Sequence, residues 1–493
     1  MKLAESSGTA IGAGQPGRLQ KPTLGLVLSN GWSLKNLLHS GVMGRLEQHF
    51  ELLAWITTSH TALVRTLASQ CGVHDAQWES CVNFDENRLQ KFNRQIEQSL
   101  FLGHVNATTE HIRLRSRRIQ RATADRIVGK VLGSVGRSKA GPKILEVASS
   151  IRRRLGYRPF YRERFETEPP DLIVVGNPVD YREDPIVYEA ARFGIPVAAM
   201  VASWDNLSSK GVIHRGYDRV LVWNDSMRDE VLEYYRNYRR DQVIPVGIPR
   251  FDVYQRPLPE HFSRRPFFER LGLDPSKRLM LFANTATSLI PDQPQIIRHL
   301  CEALREGALS RDTQLLIRPH PRDPYELYAP FESFDRVRVW QPGLSADPYN
   351  WAPEVDDDLI LAAMLKHAAV SLNPFSTMTL DAAACDVPIV SVAYDGDHPK
   401  PYFDSVLSAY DFSHMVPVMR FGATTLCKSR TEMIAAVNAY LDNPSLHRAE
   451  RQSLAREYCR IGSVTAADRL LKVLLTWAID SGVLAERGCA GAV

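Results

Sequence analysis

The sequence predicts an α/β protein of two doubly wound domains facing a central cleft. Three observations point there. Short apolar runs bounded by Gly, Pro, Asn or Asp recur in both halves, as buried parallel strands do. Helix-forming stretches separate them, giving the alternation of layered α/β folds. At 493 residues the chain is too long for one core and suits two domains of roughly 200 residues each. The apolar share of 44% and charged share of 24% are those of a soluble globular protein.

Residues 1–22 have no apolar core of signal-peptide length and read as a flexible tail. The first domain spans 23–255. Residues 24–28 form its buried opening strand, running into Ser29-Asn30-Gly31-Trp32 and a helix at 34–38. Further strands are expected at 52–57, 172–175, 196–201, 219–223 and 242–246. Between 58 and 170 the pattern turns mostly helical and basic. Residues 111–165 hold 16 Lys plus Arg against 3 Asp plus Glu, while the whole chain carries only +4. A cationic insertion on an otherwise acidic protein points to an anionic partner. Arg on a helix also serves merely as a solvated face.

The Pro- and Arg-rich stretch 256–276 reads as the linker. The second domain, 277–445, has strand candidates at 278–283, 314–318, 337–340, 369–372 and 388–392. Helices from 446 to 493 follow, expected to pack back on the first domain.

The most informative stretch is 358–396. A strand leads into Asn373-Pro374-Phe375-Ser376-Thr377, which opens a small-residue helix carrying Thr379 and Asp381. A strand, a hydroxyl-rich turn and a helix start make an anion site. Helix capping accounts for one of the three hydroxyls but less readily for Ser376, Thr377 and Thr379 together. Asp381 stands seven positions before Pro388. This arrangement resembles the donor half of the GT-B glycosyltransferases and their relatives, the CDP-glycerol glycerophosphotransferases and UDP-N-acetylglucosamine 2-epimerases. The resemblance implies two Rossmann-like domains, a donor diphosphate at the turn, and a nucleotide ribose at Asp381, where many relatives have Glu. It also implies no metal and no cofactor beyond a nucleotide-sugar or CDP-polyol donor used as substrate.

Arg318-Pro319-His320-Pro321-Arg322 follows a strand and faces the crevice of such a sheet. It resembles the RPHP signature of the glycerophosphotransferase-like proteins, which assigns donor phosphate to His320, with Arg318 and Arg322 suited to charge-assisted bonds. Two flanking prolines also make His320 a rigid loop residue. Thr285, in Asn284-Thr285-Ala286-Thr287, is placed beside the phosphates by the same resemblance. On the acceptor side stand Asn30, Gly31, Trp204 and Asn206. Asp205 is the first candidate for general base, read alternatively as an Asx-turn. Asp184 is the second, and equally an N-cap before Pro185. Asp395-Gly396-Asp397-His398 invites a metal reading, though an acidic loop explains it.

The seven scattered cysteines suit free thiols in a reducing compartment. No stretch approaches the length of a membrane span. The expected location is cytoplasmic, peripheral at the inner membrane face through residues 111–165. The leading function is a transferase moving a sugar or glycerol-phosphate-like group from a nucleotide-activated donor to a hydroxyl acceptor, free or lipid-linked, in surface glycan or polymer synthesis. The alternatives are a UDP-sugar 2-epimerase and a non-catalytic nucleotide-sugar-binding protein. Specific nucleic-acid binding lacks the aromatic interleaving it needs.

Overall fold

A computed structural model describes residues 21–56, 61–81, 86–116, 123–210, 212–213, 216–235, 237–342 and 356–484. Nearly all of the predicted tail, Thr57, Arg117, Arg118, Gly211 and Cys489 lie outside the described residues. Two wholly parallel sheets form the frame. The first contains β1 (Thr23–Leu28), β2 (Glu51–Ile56), β3 (Gln77–Ser80), β4 (Leu172–Val175), β5 (Val197–Met200), β6 (Arg219–Val222) and β7 (Val243–Pro245). Its order is β3-β2-β1-β4-β5-β6-β7. The second contains β8 (Arg278–Ala283), β9 (Thr313–Arg318), β10 (Val337–Val339), β11 (Ala368–Pro374), β12 (Ile389–Val392) and β13 (Thr425–Cys427). Its order is β10-β9-β8-β11-β12-β13, so strand order reverses between β8 and β11.

Both sheets are covered on both faces, which explains their near-continuous apolar strands. In β1 and β2 the period of two still sorts side chains. Leu24, Leu26, Leu28, Leu52 and Ala54 enter one cluster. Val27, Leu53 and Trp55 enter the other. The first cluster is closed by the C-terminal helix Ala466–Asp480 through Leu470, Leu474 and Trp477. That helix starts on Asp252, whose buried carboxylate accepts the N–H groups of Ala466 (2.9 Å) and Ala467 (2.8 Å). The last helix thus returns to the first domain.

Two sequence expectations change. The segment 58–170 is not an insertion from its start, because the helix Thr61–Gln70 and β3 extend the first sheet. Inserted helices run from Arg88–Val105 to Arg162–Thr167. The linker, too, is not an open tether: Phe262, Phe267 and Phe268 are fully buried, and Arg264–Arg270 is helical. The described cysteines are all unpaired.

Candidate functional site

A cleft of about 560 Å³ lies between the domains, at the carboxyl edges of both sheets. On the second domain three loops converge there. Thr285 follows β8, the Arg318–Arg322 turn follows β9, and Phe375–Met378 follows β11. These are adjacent strands, and β8 and β11 flank the reversal of strand order, where the loops diverge and open a crevice. The loops are tied together. Thr285 Oγ1 donates to the carbonyl of Phe375 at 2.7 Å. Asp323 accepts from Thr287 Oγ1 and the Tyr328 hydroxyl, both at 2.8 Å, joining the loops after β8 and β9. A rigid cradle costs little to order when a ligand arrives.

Arg318 is the main cation in that wall. One guanidinium nitrogen binds Asp357 at 3.0 Å, the guanidinium carbon lies 4.9 Å from the Trp340 ring centre, and Nη1 is buried with no partner among the described residues. An orphaned donor of this kind costs about 1–3 kcal/mol, which a phosphate oxygen would offset. His320 is half-buried. Burial pushes its imidazole down to about 4, against the pull of Asp323, with the charges of Arg322 and Arg318 adding to the depression. Its Nδ1 accepts the backbone N–H of Arg322 at 3.1 Å. A neutral ring accepting at Nδ1 carries its proton on Nε2, a donor suited to an oxyanion.

The hydroxyls divide. Ser376 and Thr377 line the cleft, but Ser376 Oγ also accepts the N–H of Met378 at 3.2 Å, the capping role weighed above. The helix Met378–Ala384 is only two turns long, so its dipole is a small contribution. Thr379 is a correction. It is fully buried and donates to Asn373 Oδ1 at 3.0 Å, turned inward by the helix rather than toward a ligand. Asp381 lines the cleft while only 1% exposed, held by Arg250 (2.8 Å) and the Tyr254 hydroxyl (2.5 Å) of the first domain.

On the first domain Asn30, Trp204, Asp205 and Asn206 face the cleft. Asn30 caps the turn that follows β1, accepting from Trp32 and Ser33 N–H; Gly31 is buried in that turn and is not part of the cleft wall. Burial alone would raise the Asp205 carboxyl. Lys210 at 3.4 Å, His414, and the Ser203 and Ser209 hydroxyls outweigh it and hold the group well below the usual carboxylate range. Asp184 is the second correction. It is buried away from the cleft, paired with Arg152 at 2.7 Å, and Arg152 also binds Glu97 at 2.7 Å. That ion pair removes both Asp184 as a base and Arg152 from the cationic surface.

Sequence reasoning missed three parts of the site. Lys35 sits 2.6 Å from both Asp357 and Asp358, bridging the domains beside Arg318. The run Asp356-Asp357-Asp358 before an apolar helix was the available signal. Arg250, the partner of Asp381 at 2.8 Å, is the second, and no local pattern in the sequence marks that pairing. His414 lines the cleft on the second domain, is 3% exposed and has an Nδ1 with no partner among the described residues. It sits edge-on to Trp204 at 5.2 Å. Burial lowers its imidazole to about 4, opposed by Asp205 and reinforced by Lys210 and Arg113.

Among the described residues no group of three or more His, Cys, Asp or Glu is placed to hold a metal. Asp397 is engaged by His299 at 2.8 Å, and Asp395 accepts backbone N–H groups from Val406 and Lys400.

Two doubly wound domains with a donor-type crevice at the strand reversal define a GT-B protein. Residues 199–476, more than half of the chain, match the family model of the CDP-glycerol:poly(glycerophosphate) glycerophosphotransferases, and the chain belongs to that family of nucleotide-dependent transferases. Solved structures share the fold at low identity. The UDP-GlcNAc 2-epimerase of Neisseria meningitidis bound to UDP-GlcNAc is 11% identical, with a TM-score of 0.57 over 92% of this chain and 100% of that one. Staphylococcus aureus MnaA with UDP is 10% identical, with a TM-score of 0.56 over 94% and 98%. Anabaena HepE with UDP and glucose is 10% identical, with a TM-score of 0.51 over 92% and 100%. No curated protein matches the sequence.

Proposed function

We propose that this protein transfers a glycerol-phosphate-like or sugar group from a nucleotide diphosphate donor to a hydroxyl acceptor, in the building of a surface glycan or polymer. The observation that carries the reading is the convergence of Arg318, His320, Arg322, Thr285, Ser376 and Thr377 on one crevice at the strand reversal. Cationic and neutral donors fixed before the reaction stabilise charge that develops on the departing phosphate. The orphaned Nη1 of Arg318 and the Nε2–H of His320 would take phosphate oxygens. Oδ2 of Asp381, with only a 3.4 Å contact to Arg250, is the atom left for a ribose hydroxyl.

The acceptor enters against Trp204 and Asn206. Its oxygen attacks the electrophilic atom of the donor, phosphorus or the anomeric carbon, and the bond from that atom to the nucleotide phosphate breaks with its electron pair. The acceptor proton passes to the His414 imidazole of the second domain, within the field of the Asp205 carboxylate of the first. Of the two the imidazole has the higher proton affinity, and the Asp205 carboxylate stabilises the cation it forms. Closure of the domains is then needed to assemble the base.

The 2-epimerase alternative needs a carboxylate available to strip a sugar proton. Every acid in the cleft wall is matched to a cation: Asp180 to Arg182, Asp205 to Lys210, Asp357 to Lys35 and Arg318, and Asp381 to Arg250. Incubation with CDP-glycerol and with UDP-, GDP- and dTDP-sugars, following nucleotide release, tests the proposal. Transfer or slow donor hydrolysis with one donor supports it. Conversion of UDP-N-acetylglucosamine to UDP-N-acetylmannosamine without nucleotide release would replace it with the epimerase.

A further inference from the structure

The inserted helix Thr108–Arg115 belongs to neither sheet's frame, yet it touches both domains beside His414. Thr109, Ile112 and Arg113 stand at positions i, i+3 and i+4 and share one face, with Ser116 just past the helix end. Such a face is ordinarily apolar where it packs inward. Here only Ile112 is apolar, although Thr109 and Ser116 are each 1% exposed. The polar groups on that face are spent on specific bonds.

Two of those bonds reach the second domain. Thr109 Oγ1 accepts the N–H of Ser413, the residue before His414, at 2.9 Å. Ser116 Oγ donates to Asp404 Oδ1 at 3.2 Å. One turn along the same face, Arg113 reaches the first domain and donates from Nη1 to the Ser209 carbonyl at 2.9 Å. Gln98, on the preceding inserted helix Arg88–Val105, donates to the Lys210 carbonyl at 2.8 Å. Those two carbonyls end the short helix Asn206–Ser209, where carbonyls lack helical partners. The same loop carries Asp205, which accepts from Ser209 Oγ at 3.1 Å and pairs with Lys210 at 3.4 Å. The insertion therefore grips both segments that meet at Trp204 and His414. Neither Thr109 nor Arg113 lines the cleft, so each acts through the residues it holds.

We propose that Thr109 and Arg113 are positioning residues, clasping the Ser413–His414 segment of the second domain to the Asp205–Lys210 loop of the first. The insertion is then part of the acceptor side of the site. The proposal rests on the reading of His414 as the group that takes the acceptor proton. The charged groups acting on that imidazole are Asp205 and Lys210 of the loop and Arg113 of the inserted helix; its ring neighbours Trp204, Phe375 and Phe412 are uncharged. Burial is the main depression of its proton affinity, and the Arg113 charge adds to it.

Deuterium uptake by residues 402–414 in the donor-free full chain tests the clasp. Thr109→Val keeps the shape and removes the acceptor, so exchange at Ser413 should quicken on the order of fivefold, while Thr109→Ser should match the wild type. Imidazole NMR, with the His414 signal assigned by its absence from His414→Gln, reads the second residue. Arg113→Gln should raise the His414 midpoint, and Arg113→Lys, which keeps the charge, should leave it in place. Where a donor is turned over, Thr109→Val should lower kcat about tenfold with donor affinity unchanged, and Thr109→Ser should restore it. Unchanged uptake in Thr109→Val, an unmoved midpoint in Arg113→Gln, or a Thr109→Val enzyme with wild-type kcat overturns the proposal. The first two measurements need no donor, so they decide it even if no donor is turned over, a result that would overturn the transferase reading instead.

Discussion

Lys35 of the first domain and Asp357 of the second lie 2.6 Å apart, both buried, across 322 residues of chain. Asp357 in turn holds Arg318 at 3.0 Å, so the contact that joins the domains also positions the main phosphate-facing cation. Burial would lower the Lys35 ammonium, but Asp357 and Asp358 outweigh it and raise it above its usual value. Closure of the cleft and readiness of the donor wall are therefore one electrostatic arrangement.

Lys35→Met should cost the protein about 3–5 kcal/mol, since it leaves Asp358 buried without a lysine. The nearest other group, His39 at 3.9 Å, is held toward its neutral form by burial. Urea unfolding reads the loss. A change within about 0.5 kcal/mol, the scale of an ordinary surface substitution, would mean that the ion network is not formed.

The hydroxyls of the turn should separate by role. Thr379→Ala removes a buried bond to Asn373 and should destabilise by about 1–2 kcal/mol while leaving nucleotide affinity unchanged. His320→Ala should do the reverse, weakening nucleotide binding about tenfold with little change in melting temperature. Calorimetric titration beside thermal melts distinguishes the two patterns.

If His414, under the influence of the Asp205 carboxylate, takes the acceptor proton, each variant should act on turnover rather than on donor binding. His414→Gln is expected to lower kcat about 100-fold or more, in the range of general-base removal. Asp205→Asn should lower kcat and shift the acid limb of the pH–rate profile downward, because the neighbouring carboxylate is what raises the His414 imidazole. An unshifted limb would place the proton elsewhere.

Acid stability follows from the same histidine. In the unfolded chain an imidazole titrates near its usual 6.5, whereas His414 in the folded protein takes a proton only near 4. The unfolded state binds more protons in that window. The contribution to stability is complete above about pH 6.5 and declines as pH falls toward 4, reaching roughly 3 kcal/mol. Melting temperatures measured across that range should fall for the wild type and fall less for His414→Gln.

The frame was legible because buried parallel strands leave continuous apolar runs; residues 172–175 and 278–283 appear with the predicted bounds. Two strands left no such trace. Gln77–Ser80 is a polar, partly exposed edge strand, and Thr425–Cys427 has only three residues. The loops around Ser376 and His320 stood out because turn residues follow apolar strands in order. What the sequence hid was pairing across distance. Nothing beside Asp184 announces Arg152, nothing beside Asp381 announces Tyr254, and His414 is an isolated imidazole until the fold brings it to Trp204. Thr379 misled for a local reason, since spacing along the chain does not say which hydroxyl the helix turns inward.

The central claim is that the crevice between β8 and β11 takes a nucleotide diphosphate, and calorimetric titration with CDP and UDP tests it most directly. The account predicts saturable binding of at least one nucleotide, weakened about tenfold or more in Arg318→Ala and in His320→Ala, with Thr379→Ala matching the wild type. No binding of either nucleotide, or equal affinity in all four proteins, would contradict it.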